Sequence, residues 1–304
     1  MAKIAVELER AVAGRYRTGG PGGLAARSIA QGDEWSVQDL LCTSGPQDPS
    51  FEEQHSRVSI AIVLAGTFQY RVSEARKGTG ELMTPGSLLL GNAGQYFECG
   101  HEHASGDRCL SFKYSRDYFQ RILADAGVKR SDRVFRALRV PAIREVSEIA
   151  LRACNRLVGS TGRTHGLPSW KEFGIQLAVR AVQLANGAVP EARAEPPSAI
   201  ARVTRALRMI ENDLGAELTL DRLALESKLS PYHFLRTFQQ LTGLTPHQYV
   251  RRTRLREAAV RLSTQQAKVL DIALDCGFGD VSNFNRAFRN EFGENPRQLN
   301  QRGH

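Results

Sequence analysis

The sequence lacks any long apolar run. None of its 304 residues lies in an uninterrupted apolar stretch of the kind that crosses a bilayer as a helix, which requires about 18 to 20 residues. The first ten residues alternate charged side chains with short apolar pieces and contain no apolar core of a signal peptide. We therefore expect a chain that has no membrane segment and is located in the cytoplasm.

Cysteine is scarce, and its five copies are scattered at Cys42, Cys99, Cys109, Cys154 and Cys276. An odd, widely spaced set is not typical of a disulfide framework. Free thiols persist in reducing compartments. The cysteine pattern therefore also favours the cytoplasm and leaves thiols available for other chemistry.

Neither composition nor charge indicates disorder. Hydrophobic residues make up 41% of the chain and charged residues 24%, which suffices for two domains with their own cores. The formal net charge is +9. A positive surplus favours polyanionic partners such as nucleic acid, although it does not identify one.

The chain changes character twice. Residues 24–114 carry short β-type runs separated by Gly and Pro, a pattern typical of a sandwich or barrel. From Arg116 the spacing of apolar residues becomes helical. These helices either cover the sheet or form a dimer interface, because an amphipathic stripe does not reveal what covers it. A segment rich in Pro, Gly and charge, between Asn186 and Ser198, then predicts a linker.

The strongest signal is an internal repeat with an offset of fifty residues. Matching positions are Phe234 and Phe284, Arg236 and Arg286, Phe238 and Phe288, Gly243 and Gly293, and Pro246 and Pro296. Each copy predicts a helix, a tight turn and a second helix. In the first copy Ser230 followed by Pro231 is a favourable start for the second helix.

The segment between the copies predicts a spacer helix. Residues 245–262 have helical periodicity and would span roughly 27 Å. That length suits two outer helices held about one DNA turn, or roughly 34 Å, apart in the major groove. Residues 198–304 hold 16 Lys and Arg against 11 Asp and Glu. We expect four spacer arginines to contact phosphates: Arg251, Arg252, Arg254 and Arg256.

Residues 271–296 contain Ile-Ala, Gly-Phe, Ser-x-Phe-x-Arg-x-Phe and Gly-x-x-Pro in succession. This run resembles the DNA-binding domain of the AraC/XylS family of transcription regulators, and the resemblance covers about residues 198–300. It implies seven helices, of which the third and sixth read the bases. The readers implied by matching positions are Tyr232, Leu235, Arg236, Val281, Ser282, Asn283 and Arg286.

The same resemblance implies an α+β chain with a cupin-like β-barrel ahead of the DNA-binding part. The predicted boundaries are 1–115 for the barrel sensing region, 116–187 for a helical dimerisation region, 188–198 for the linker and 199–304 for the double helix-turn-helix domain. The expected partners are double-stranded DNA, a second copy of the chain and, if the protein is an activator, RNA polymerase. No catalytic residue is predicted.

A Cys/His cluster in the N-terminal region is a candidate for sensing. It comprises His55, Cys99, His101, His103 and Cys109. Cys and His together suit zinc or another borderline metal, and a thiol with a lowered pKa suits redox sensing. An organic ligand, or simply a polar loop at a barrel rim, is also compatible with the pattern. The effector is therefore predicted only as a small molecule or a metal.

Two other functions compete with a ligand-responsive regulator. A cupin enzyme with a DNA-binding tail needs a complete metal triad in the barrel, and no second histidine motif follows downstream to supply it. An architectural DNA-binding protein fits the basic charge alone, but the duplicated unit favours recognition of a defined site.

Overall fold

The computed structural model describes residues 2–73, 80–127, 134–158, 169–186, 196–265 and 267–302. The chain forms two compact units. The sheet unit contains Ala5–Pro141 and Thr164–Pro196, and the helical unit contains Met1–Ile4, Ala142–Arg163 and Pro197–His304. Most of the predicted linker, residues 188–195, lies outside the described residues. None of the described helices has an apolar segment of the length that a bilayer requires.

The sheet unit consists of two antiparallel sheets. Its strands are β1 (Leu24–Gln31), β2 (Trp35–Cys42), β3 (Phe51–Gln54), β4 (Val58–Gly66), β5 (Phe68–Val72), β6 (Glu81–Met83), β7 (Leu88–Gly91), β8 (Tyr96–Gly100), β9 (Asp107–Tyr114) and β10 (Arg139–Val140). One sheet has the order β1-β2-β9-β4-β7-β10, and the other has the order β3-β8-β5-β6. The predicted N-terminal sheet architecture is therefore present.

The core of this unit lies between the two sheets. Because side chains alternate along a strand, Phe68, Tyr70 and Val72 of β5 point inward together, and Ala61 and Val63 of β4 belong to the same cluster. Burying such apolar surface contributes about 25 cal/mol per Å². The short β-type runs that indicated strands in the sequence supply the side chains of this core.

Three helices accompany the sheets: α1 (Ala2–Thr18), α2 (Arg116–Asp125) and α4 (Trp170–Asn186). The ring of Phe173 on α4 lies 5.6 Å from that of Phe112 on β9, and the Tyr114 hydroxyl donates to the Gly174 carbonyl at 2.8 Å. Helix α4 therefore covers a sheet face, the first of the two alternatives. The sequence analysis did not anticipate α1.

The helical unit contains α3 (Arg144–Val158), α5 (Pro197–Asn212), α6 (Leu220–Glu226), α7 (Pro231–Thr242), α8 (Pro246–Thr264), α9 (Val269–Asp275), α10 (Val281–Phe292) and α11 (Pro296–Arg302). Helices α5 to α11 are the seven that the resemblance implies. Helix α3, predicted within the dimerisation region, instead packs on α8 and α10. There the Asn155 amide donates to the Ser263 hydroxyl at 3.1 Å. A role for α3 in pairing two subunits stays a prediction.

The repeat is present in the geometry. Helices α6 and α9 both have seven residues, and the turns after them place Lys228 and Gly277 at φ of 53° and 81°. Both following helices end in a left-handed glycine, Gly243 or Gly293, with φ of 76°. In both helices the paired phenylalanine rings lie 5.4 Å apart at 54°. Two sequence-distant segments thus adopt the same helix-turn-helix structure.

Candidate functional site

Helix α7 is anchored by its apolar face. Ser230 caps it by accepting from the His233 backbone N–H at 3.4 Å, and Phe234 and Phe238 are completely buried. The intervening residues face outward because a helix turns about 100° per residue. Tyr232 is 71% exposed, Arg236 is exposed and Leu235 is half-buried.

Helix α10 repeats this arrangement with a different cap. Asp280 accepts from the Asn283 backbone N–H at 2.7 Å and from the Asn283 amide at 2.6 Å, and these contacts hold the pKa of its carboxyl below the usual range. Ser282, Asn283 and Arg286 are exposed. The remaining predicted reader, Val281, is half-buried. Helix α10 thus presents three polar groups to solvent.

The exposed groups of α10 already contact one another. The Arg286 guanidinium donates to the Asn283 side-chain carbonyl, whose amide is held by Asp280. A base edge would therefore replace hydrogen bonds that exist in the free chain. These hydrogen bonds hold the side chains in one orientation, which would lower the entropy lost if they bound a ligand.

The structure corrects the phosphate-contact prediction for Arg256. This side chain is only 2% exposed, so it cannot reach a phosphate on the surface. It lies among Tyr249, Glu291 and Glu211, and burial lowers its pKa. Burial also raises the pKa of Glu211 to about 7. Arg256 therefore belongs to a buried polar network.

The Arg254 side chain is hydrogen-bonded to backbone carbonyls. Its guanidinium donates to the carbonyls of Leu214 at 2.9 Å, Ala216 at 2.7 Å and Gly277 at 2.8 Å. These bonds join the loop before α6 to the turn of the second helix-turn-helix. The geometry assigns this arginine to holding the two copies together.

Arg252 and Arg251 differ in accessibility. The Arg252 side chain is 12% exposed, and its Nε lies 3.3 Å from a carboxylate oxygen of Glu291 on α10. Glu291 also accepts a hydrogen bond from Ser147 on α3. Arg251 is exposed. Of the four predicted phosphate contacts, Arg251 is the one whose position leaves it open to a phosphate.

The structure divides the predicted N-terminal cluster: His101 and Cys109 both contact Asp107, whereas His55 has another hydrogen-bond partner. His55 forms a 2.8 Å hydrogen bond between its Nε2 and the Tyr70 hydroxyl, and its ring stacks on Phe97 with centroids 4.0 Å apart. Burial lowers the pKa of His55 to about 4. His55 is therefore a neutral core side chain at neutral pH.

His101 has different neighbours. Its Nε2 lies 2.6 Å from Asp107 Oδ1, and Cys42 completes a buried group of three potential ligands within 4.8 Å of one another. Cys109 donates to Asp107 Oδ2 at 3.4 Å. Cys99 packs half-buried against the core. His103 lies part-exposed beside Glu102, at 3.9 Å.

Sequence reasoning missed Cys42 and Asp107. The two are register partners on β2 and β9, yet 65 positions separate them in the chain. The alternation of side chains along each strand could have shown that Cys42 and Asp107 are buried. It could not have shown that β2 pairs with β9, because strand pairing is not encoded in either strand alone.

Part of the helical unit is similar to known helix-turn-helix proteins. A model of the family described as "Helix-turn-helix domain" matches residues 223–302. The chain is 34% identical over 144 residues to the HTH-type transcriptional activator RhaS of Klebsiella pneumoniae (strain 342), covering 47% of this chain and 50% of the relative. It is 38% identical over 100 residues to RhaS of Escherichia coli O157:H7 (strain EC4115 / EHEC), covering 33% and 36%.

The chain is also similar to a solved structure of a transcriptional regulator from Chromobacterium violaceum, described as having an AraC-type DNA-binding domain. The two are 26% identical with a TM-score of 0.33, and the match covers 36% of this chain and 96% of that chain. The matches thus span half or less of the curated relatives' length. The family match, residues 223–302, overlaps both helix-turn-helix units. In the C-terminal region of this chain, residues 223–302 are therefore similar to a helix-turn-helix domain, the description of the matching family model.

Proposed function

We propose that the chain is a transcription regulator that recognises a defined site on double-stranded DNA through α7 and α10. The observation that carries this proposal is the duplicated exposure pattern. Each helix buries a phenylalanine pair and exposes an arginine between the two rings, Arg236 on α7 and Arg286 on α10. A helix of this kind fits the major groove with its N-terminal residues against base edges.

The exposed side chains have the chemistry of base recognition. Arg236 and Arg286 suit the O6 and N7 atoms of guanine, and Asn283 suits adenine. Leu235 and Val281 offer apolar contact to a thymine methyl. Tyr232 and Ser282 complete the proposed reading surface. Arg251 supplies a phosphate contact and therefore salt-dependent affinity.

The regulatory part of the proposal concerns the whole chain. Because the curated relatives are transcriptional activators, we propose activation of transcription, contact with RNA polymerase, a cytoplasmic location and a homodimeric state. Control resides in an effector bound by the sheet unit. A non-enzymatic role accords with relatives that are regulators.

The proposal is tested by selecting binding sites from random DNA with the full chain. Arg286→Ala is expected to weaken binding to the selected site by about 1–3 kcal/mol and to relax the preference at one base position. Arg289→Ala is a matched control, because Arg289 lies on the same helix and donates to the Asn295 side chain instead. Unchanged base preference in Arg286→Ala would exclude α10 as a reading helix.

A further inference from the structure

Three buried side chains meet at one end of the sheet unit. Cys42 ends β2, His101 follows β8 and Asp107 begins β9. Cys42 and Asp107 face each other across the β2–β9 pairing, and the His101 and Asp107 side chains are already 2.6 Å apart. The strand register therefore brings a sulfur, a nitrogen and an oxygen donor together.

We propose that Cys42, His101 and Asp107 form a binding site for one zinc ion. Zinc accepts thiolate, imidazole and carboxylate ligands in a tetrahedral arrangement. Magnesium and calcium prefer oxygen donors throughout, so a thiol in the set disfavours them. The idea that zinc acts as a regulatory effector rests on the proposed function. The binding of zinc by these three residues does not depend on it.

The donor atoms need only small movements to bind the ion. Zinc–ligand bonds of about 2.0–2.3 Å place tetrahedral ligands roughly 3.4–3.6 Å apart. The His101 and Asp107 atoms, now 2.6 Å apart, would separate by about 1 Å as zinc replaces their hydrogen bond. The most distant donors, within 4.8 Å, would approach by about 1 Å.

Charge balance also suits a divalent ion. Zinc binding releases the proton of the Cys42 thiol and one proton of His101. The resulting thiolate and the Asp107 carboxylate together neutralise two positive charges, and the neutral His101 adds none. A buried charge is costly unless it is compensated, so this set fits the burial of all three residues. The nearby Arg108 does not disturb the balance, because it pairs with Asp39 at 2.9 Å and with Glu7.

Cys109 contributes by orienting a ligand. Its thiol donates to Asp107 Oδ2, which leaves Oδ1 directed at His101. A hydrogen bond to the outer atom of a ligand fixes its direction and tunes affinity for the metal. The site therefore includes a positioning residue next to its carboxylate.

The test is titration of the reduced, full-length chain with Co²⁺ under anaerobic conditions. We expect one equivalent to bind, with thiolate-to-cobalt absorption in the near ultraviolet that disappears when Zn²⁺ displaces the cobalt. Cys42→Ser is expected to abolish that band, and Asp107→Asn to weaken binding at least tenfold. Cys276→Ser, a buried cysteine of the helical unit, and His103→Gln are expected to bind as the original chain does.

No band in the original chain, or an undiminished band in Cys42→Ser, overturns the proposal. Loss of the band in His103→Gln also overturns the proposed ligand set. If Asp107→Asn fails to fold, Asp107→Cys replaces it, with a stronger thiolate band expected. Gel shifts on the same preparations separate the two proposals. DNA binding without the cobalt absorption band refutes the metal site alone. The absorption band without DNA binding refutes the transcription regulator alone.

Discussion

Arg254 and Arg251 are three positions apart on α8, and the structure predicts opposite consequences for their loss. Arg254 donates three hydrogen bonds to backbone carbonyls of the helical unit. A hydrogen bond from a charged group contributes about 1.5–3 kcal/mol, and removal leaves three part-buried carbonyls without this donor. Because Arg254 is partly exposed and its bonds are not additive, we expect Arg254→Ala to lower the free energy of unfolding by about 2–4 kcal/mol.

The assay is urea unfolding of the full chain together with DNA binding at several salt concentrations. Arg254→Ala is expected to shift the unfolding midpoint and, under conditions where it is folded, to keep the slope of log affinity against log salt. Arg251→Ala is the matched control, with unfolding within about 0.5 kcal/mol of the original and a salt slope reduced by about 1. A flattened slope with intact stability in Arg254→Ala would refute this assignment.

Two further predictions concern stability. Burial lowers the pKa of His55 from 6.5 to about 4, so the unfolded chain binds more protons than the folded chain between these pH values. The contribution of His55 to the free energy of unfolding is complete above pH 6.5. It falls as the pH drops towards 4, by up to about 3 kcal/mol. Urea midpoints against pH should show this loss, and His55→Gln should remove it; an equal loss in the variant contradicts the assignment. Lys228 has a left-handed φ of 53° where the second copy has Gly277, a conformation that costs less for glycine. Lys228→Gly should therefore raise the free energy of unfolding by up to about 1 kcal/mol, measured by thermal unfolding. Lys268→Gly is the control, which should gain no stability. A clear destabilisation by Lys228→Gly would show that this backbone is not strained.

The helix-turn-helix units were predictable because their signals are local. Ser230 before Pro231, and Phe234 four positions before Phe238, specify the start and the buried face of one helix. The same signals recur fifty residues later. These local signals predict a helix, a turn and a second helix in each copy, whereas the total of seven helices was implied by the family resemblance.

The arginines of α8 were not predictable in the same way. Their crowding indicated a basic surface, but Arg252 and Arg256 lie one helical turn apart on the side that α3 and α10 cover. Sequence periodicity shows which residues share a face, and it does not show which element packs there. Cys42 was missed for a related reason, since its partner Asp107 depends on strand register.

The position of α3 bears on how this protein is divided for experiments. Glu291 on α10 contacts both Ser147 of α3 and Arg252 of α8, and Cys154 of α3 lies near the buried Arg256. A fragment cut at residue 199 would discard α3, expose these charged groups to water and leave Glu291 one partner short. A fragment that begins before residue 142 retains α3 and its contacts with α8 and α10.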